Sequence, residues 1–297
     1  MLQNDWKRYL AAQTGEPSKS SSEPGQAAGQ IAWLTTWAAL RFSGPDARTF
    51  LQGYLTSDTT DLSPDRLDPT AICNLKGRVV VNGWCCALDA LDVRLLIHGS
   101  LVPRLTDFLR PYLMFAKTQM VDETPDLLVI GALQAPAETG GLLLGDRRRI
   151  LLCDQLDTAC RAWEQHTHID EAAWQASLIE DGLPLITEAT SEVFLPQMLG
   201  LDTAGAVSFS KGCYLGQEVV ARAQHRGVVK RRLRSLVWEG HRHIEPGAAI
   251  TDETGGSVGI VVNAINNEAG QGRCLAVMQT DDTEGFQQGD TDLRSVP

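Results

Sequence analysis

The chain has 297 residues, 43% of them hydrophobic and 21% charged, with a net charge of −11; that length allows two or three compact units, and the acidity excludes a general nucleic-acid coat or a polybasic membrane anchor. The longest apolar run, Leu127 to Leu133, is far short of the roughly 20 residues that cross a bilayer. The opening MLQNDWKRYL lacks the layout of a secretory signal, so a cytoplasmic setting is expected, and seven cysteines without a CxxC pair point to free thiols rather than disulfides or structural zinc.

In chain order, residues 12–30 are rich in Ser, Gly, Pro and Gln and read as a flexible arm, with folded sequence starting near Ile31. In SGPDARTFLQGYLTSD, the spacing of Ala47, Phe50, Leu51, Tyr54 and Leu55 predicts a helix with one buried face, and Pro45 suits its first turn. The stretch AICNLKGRVVVNGWCCALDALDVRLLIHG joins β-branched runs through turn signals and predicts strands of one antiparallel sheet. Ser100 is a candidate cap for a helix that places Leu101, Leu105, Phe108, Leu109 and Tyr112 on one side. Strand-like DLLVIGAL and RRILLCD follow, then a helix over DEAAWQASLIEDGLP that stops at Gly182 and Pro184. From Arg231 onward, short β runs between EPG, ETGG and EAGQG predict a small sheet or barrel, and the last residues are polar and expected to fray.

The chemistry concentrates at SFSKGCYLGQEVVARAQHRG. Gly212 and Gly216 flank Cys213 and Tyr214, which predicts a tight loop. Lys211 stands two residues before the thiol, and GQEVVARAQ predicts a helix whose N-terminus adds positive potential. The other six cysteines sit in apolar contexts and read as buried packing. Seven basic residues against the single acid Glu218 between 211 and 234 read either as a solvated face or as an anion site. The pairs His166/His168 and His241/His243 lack a third ligand nearby and read as surface residues. No nucleotide-binding or serine-hydrolase motif is present.

KGCYLGQE at 211–218 resembles the signature of the YgfZ-type folate-binding proteins, relatives of the glycine-cleavage T-protein. GPDARTFLQGYLTSD, CNLKGRVVVNG, IEDGLPLI and the long run from FLPQMLGLD to VVKRRL resemble the same family in the same order, over about residues 31–280. The resemblance implies an α+β fold of three domains in a ring around a central folate channel, closed by a C-terminal antiparallel β-barrel. The domains expected are a flexible arm at 1–30, a discontinuous folate-binding domain at 31–118 plus 166–228, an inserted α+β domain at 119–165, a barrel at 229–280 and a polar tail at 281–297.

It also implies a tetrahydrofolate-binding accessory protein, acting as a monomer, that assembles or repairs iron–sulfur client enzymes, including one of tRNA methylthiolation. Trp37, Trp174 and Glu180 carry over as folate-site residues, with Asn82, Arg222 and Arg226 added to the ligand set. Cys213 is the functional thiol with Lys211 beside it, and Gly212, Tyr214, Gly216, Gln217 and Glu218 complete the motif. Where the aminomethyltransferases have an aspartate pair, this chain has Val81 and Asn82, and an amide cannot serve as a carboxylate base. That departure disfavours the rival reading, folate-dependent aminomethyl transfer. Net acidity disfavours a third, direct tRNA binding through the 211–234 patch.

Overall fold

The computed structural model describes residues 1–13, 29–89, 91–226, 230–266, 270–280 and 285–296, and the side chains of His225 and Arg226 lie outside the described set. β1 (Gln30–Trp33) and β2 (Trp37–Ser43) are neighbours in sequence yet enter different sheets. β2 is joined by β3 (Asp68–Cys73), β4 (Val79–Ala87), β5 (Asp92–His98) and β6 (Gln119–Asp122) in an antiparallel sheet of order β3-β4-β5-β2-β6. β1 is joined by β7 (Leu128–Leu133), β8 (Leu142–Leu144), β9 (Arg148–Cys153) and β10 (Thr167–His168) in the order β10-β1-β7-β9-β8.

The alternation of side chains along each strand sets the layers. β2 turns Ala38, Leu40 and Phe42 into one core with Leu51, Leu105 and Leu109, and Trp37 and Ala39 into another. Those first-core leucines come from α2 (Ala47–Gln52) and α3 (Val102–Leu113), which cover the outer face of the first sheet. The second core lies between the sheets, where Trp37, Trp84 and Leu96 meet Val129, Leu133 and Ile150. It also takes Trp174 and Leu178 from α5 (Glu171–Glu180), which follows α4 (Leu156–Glu164). The opposite face of β7, Leu128, Ile130 and Ala132, packs with Trp163 of α4 and Trp6 of α1 (Leu2–Gln13). With both faces covered, β4 is buried at every position and is apolar along its length except at Asn82, whose amide is hydrogen-bonded.

The chain then passes through α6 (Gln217–Arg226) into a closed barrel. Its strands are β11 (Arg231–Glu239), β12 (Ala249–Thr251), β13 (Ser257–Asn266), β14 (Gln271–Gln279), β15 (Phe286–Gln288) and β16 (Thr291–Ser295). On β14, Cys274, Ala276 and Met278 fill the barrel, while Leu275 and Val277 face out and join the core of the first sheet. The barrel is thereby packed onto the body.

Five sequence expectations need correction. Residues 2–13 are not part of a flexible arm: they form α1, because Trp6 inserts fully buried, stacked on Tyr9 at 5.2 Å and edge-on to Trp163 at 5.3 Å. The rest of that expected arm, residues 14–28, lies outside the described residues. The tail from 285 is not frayed, since Phe286 and Leu293 alternate into the barrel and supply its last two strands. The two units also interleave at their borders, β1 pairing with β7 of the second sheet and β6 with β2 of the first. Finally, Ser100 does not cap α3; its Oγ accepts from the Glu188 amide, and α2 stops at Gln52 ahead of Gly53.

Candidate functional site

The KGCY loop is built by two close approaches. Gly216 has φ +82°, and a Cβ placed there would come 2.3 Å from the Asn74 carbonyl oxygen, so only glycine lets the loop pass the turn between β3 and β4 and open α6. The Leu215 amide donates to the Gly53 carbonyl at 3.0 Å, tying the loop to the end of α2. Between these two ties Cys213 is exposed, the one exposed thiol among seven. It borders a cavity of ≈ 320 Å³ with Arg48, Gln52, Gly53, Thr59 and Thr60. Burial pushes Cys86 and Cys153 up to about 11 and Cys73 and Cys274 up to about 12, so those thiols stay protonated at neutral pH.

Lys211 points the other way. Its side chain is buried, and Nζ donates to the carbonyls of Leu55 at 2.8 Å and Ser57 at 2.7 Å, with the Tyr214 ring 5.3 Å away. Burial brings its pKa down from 10.5 to about 8, against the pull of Asp58. Lys211 therefore fastens the segment at 55–57 beneath the loop, and its ammonium is spent on carbonyls. Ser57, on that segment, and the adjacent Asp58 line a second cavity of ≈ 550 Å³ that also meets Asp61, Asp68 and Asp146. Tyr214 is buried as well, and burial pushes its phenol up.

The aromatic residues form a separate cluster. Trp37 stacks on Trp84 at 5.1 Å and meets Trp174 edge-on at 6.2 Å. Trp174 lies against Gly131, where a Cβ would come within 2.6 Å of the ring. Trp37 and Trp174 are fully buried, and the Nε1 of each has no hydrogen-bond partner among the described residues. Glu180 ends the same helix as Trp174 but faces elsewhere: its carboxylate pairs with Arg273 of the barrel and lies 3.8 Å from Arg147 of the β8–β9 turn. It is 46% exposed and sits where the two sheets' units and the barrel meet.

Asn82 is a structural fastener. Its Nδ2 donates to the Pro184 carbonyl at 2.7 Å and its Oδ1 accepts from the Ile186 amide at 2.9 Å, which holds the segment after α5 on β4. On α6, Glu218 and Arg222 are exposed and pair with each other at 2.9 Å, Gln217 opens the helix, and the side chain of Arg226 is outside the described set. The expected residues thus divide into the Cys213 loop, the indole cluster, Glu180 at the junction, and Asn82 within the core. Sequence reasoning missed Arg48, Thr59 and Thr60 beside the thiol, although they lie in or next to the quoted α2 motif, and Arg147 and Arg273 beside Glu180, which no local pattern marks.

No family model matches the chain. The tRNA-modifying protein YgfZ of Edwardsiella ictaluri (strain 93-146) is 34% identical over 231 residues, 67% of this chain and 68% of that protein. The protein of the same name from Klebsiella pneumoniae (strain 342) is 32% identical over 278 residues, 84% of each chain. Among solved structures, the glycine cleavage system aminomethyltransferase T from Bartonella henselae superposes with a TM-score of 0.70, covering 91% of this chain and 85% of that one at 15% identity. The α+β body with its closed six-stranded barrel therefore has the fold of that aminomethyltransferase.

Proposed function

The chain belongs to the YgfZ family, and on that premise we propose that it is a folate-binding accessory protein for the assembly or repair of iron–sulfur enzymes, those of tRNA methylthiolation among them, with Cys213 as its functional thiol. The observation that carries the reading is the loop itself: seven cysteines are present, and the fold buries or half-buries six and delivers Cys213 to a cavity. A thiol needs access to react.

The half-exposed Glu180 carboxylate at the junction is the group that suits a reduced folate. The indole faces are already taken, Trp37 by Trp84 and Trp174 by Gly131, so neither stacks openly on a ligand. What they retain are two buried N–H donors without acceptors, beside a helix that ends in the half-exposed Glu180 carboxylate. A bound reduced folate supplies a one-carbon carrier; the chain supplies Glu180 to accept from pterin N–H groups. Arg222 and Arg226 are the candidates for the glutamate tail. Aminomethyl transfer is the weaker reading, because an amide stands at that position and both its ends are committed to backbone groups.

Calorimetry with tetrahydrofolate tests the ligand. Saturable binding with quenched tryptophan fluorescence is expected, weakened roughly tenfold by Glu180→Gln, the scale of one charge-assisted hydrogen bond. Arg222→Glu should weaken polyglutamylated folate more than the monoglutamate. Absence of binding by the wild type sinks the folate assignment. For the thiol, Cys213→Ser should keep folate affinity and fail to support iron–sulfur enzymes in cells lacking the native protein; full complementation removes Cys213 from the function.

A further inference from the structure

The carboxylate that suits the ligand already has protein partners. Glu180, the last residue of α5, pairs through Oε1 with Arg273 Nη1 of β14, and its Oε2 lies 3.8 Å from Arg147 Nη2. The two arginines differ in what else they hold. Arg147 grips Asp181 with two N–H groups, Nε to Oδ2 at 3.0 Å and Nη2 to Oδ1 at 2.8 Å, and its Nη2 also donates to the Ser177 carbonyl at 3.4 Å. Arg273 has no such reserve: among the described residues, Glu180 is the one carboxylate it pairs with. Its place on the strand explains why it meets α5. Cys274, Ala276 and Met278 fill the barrel, so Arg273 shares the outward face with Leu275 and Val277. Leu275 and Ile265 of the barrel belong with Ile179 of α5 to one apolar core, so the contact of α5 with the barrel is an apolar patch with this ion pair beside it.

We propose that Arg273 competes with a pteridine for the Glu180 carboxylate, so that binding of the ligand there releases Arg273 and loosens the tie between α5 and the barrel. The proposal rests on Glu180 being the acceptor for pterin N–H groups and adds the regulation of that site. Neighbouring N–H donors on a ring span both oxygens of a carboxylate, as a guanidinium does. Ligand and Arg273 therefore ask for the same lone pairs, whereas Arg147 keeps Asp181 whichever of them wins. The competition is modest, because a pair in which Arg273 is 37% and Glu180 46% exposed is partly screened by solvent; such a pair shifts an equilibrium by roughly two- to fivefold. Coupling is reciprocal: the factor by which Arg273 weakens the ligand is the factor by which the ligand weakens the pair. Ile179 and Leu275 stay packed throughout, so the barrel is loosened at its polar edge and remains attached. Occupancy of the folate site is thereby passed to a unit that contributes only Arg273 to it.

The experiment uses the full-length protein with tetrahydrofolate. Affinity is read by calorimetry, and the reaction of Arg273 with phenylglyoxal is followed by peptide mapping with and without the ligand. Arg273→Gln should tighten binding by roughly two- to fivefold, and Arg273→Lys, which keeps the charge, should return part of the way to the wild type. In the Glu180→Gln background the same Arg273→Gln change should alter affinity by less than about 1.5-fold, since the two residues act as one coupled pair. Saturating tetrahydrofolate should speed the modification of Arg273 in the wild type by about the same two- to fivefold. Unchanged or weaker binding in Arg273→Gln overturns the proposal, as does a gain that persists in the Glu180→Gln background. Protection of Arg273 by the ligand also overturns it, since the arginine is then a ligand contact. If tetrahydrofolate binds and Glu180→Gln weakens it while Arg273→Gln does not tighten it, the competition is wrong and the folate reading stands; if neither the wild type nor Arg273→Gln binds, the folate reading fails and the proposal falls with it.

Discussion

At the residue scale, a side chain's chemistry is set by what it touches, and Lys211 is the clearest case. From its position two residues before Cys213 it reads as a cation beside a thiol; in the fold its ammonium is buried on the Leu55 and Ser57 carbonyls. A lysine whose pKa falls from 10.5 when unfolded to about 8 when folded binds fewer protons folded than unfolded between those values. Stability from this group is therefore lowest below about pH 8 and rises as the pH climbs to 10.5. Lys211→Met removes both hydrogen bonds and leaves two buried carbonyls without partners. We expect it to cost about 1–3 kcal/mol at pH 7 and to flatten the rise in stability between pH 8 and 10.5 relative to the wild type. Urea melts across that pH range measure both effects; a parallel offset between the two profiles would show that Lys211 does not titrate there.

At the element scale, the loop that delivers Cys213 depends on one glycine of its two. Gly216 occupies the left-handed region, and a Cβ there would meet the Asn74 carbonyl and Cys73, whereas a Cβ on Gly212 meets nothing within 4 Å. Gly216→Ala is expected to cost about 1–3 kcal/mol from backbone strain and the clash, and Gly212→Ala to stay within about 0.5 kcal/mol of the wild type. Thermal melts of the two variants make the comparison, and equal losses would mean that the 74–77 turn yields. α1 teaches the complementary lesson. Its sequence is polar enough to pass for an arm, and a single indole, Trp6, anchors it on the second sheet.

At the scale of the molecule, α5 is where the units are joined, and its last residues carry the ties. Arg148, 2% exposed, pairs with Asp181 at 2.7 Å and donates to Ser177 Oγ at 3.0 Å, fixing the second sheet to α5. Burial pulls the Arg148 pKa down, and the Asp181 partnership opposes it. Glu180, half-exposed, reaches Arg147 and Arg273. Arg148 is buried but its partner Asp181 is 37% exposed and keeps Arg147, so the loss of Arg148 is felt chiefly through its buried hydrogen bonds to Ser177, while an exposed pair is worth little. Arg148→Met should therefore destabilise the protein by about 1–3 kcal/mol, and Glu180→Gln by no more than about 1 kcal/mol. If urea denaturation shows the reverse order, the junction is held by Glu180 and its proposed role as a ligand acceptor is lost.

The sequence by itself determined the local features: the β-branched runs of β3 to β5, the barrel strands between glycine-rich turns, the helix after KGCYLG, and Cys213 as the cysteine unlike the others. These follow from periodicity, turn residues and neighbouring charge, all of which act within a few residues. Only the tertiary structure decided which sheet β1 enters, that residues 2–13 and 285–296 are held, and that Lys211 and Cys213 diverge. Only it showed that Asn82 is consumed by Pro184 and Ile186, and that Arg48 lines the cavity beside the thiol. Each of these depends on partners tens to more than a hundred positions away, as Lys211 to Leu55 or Glu180 to Arg273, and the free energy that fixes them is burial and hydrogen bonding that exist only once those distant segments meet.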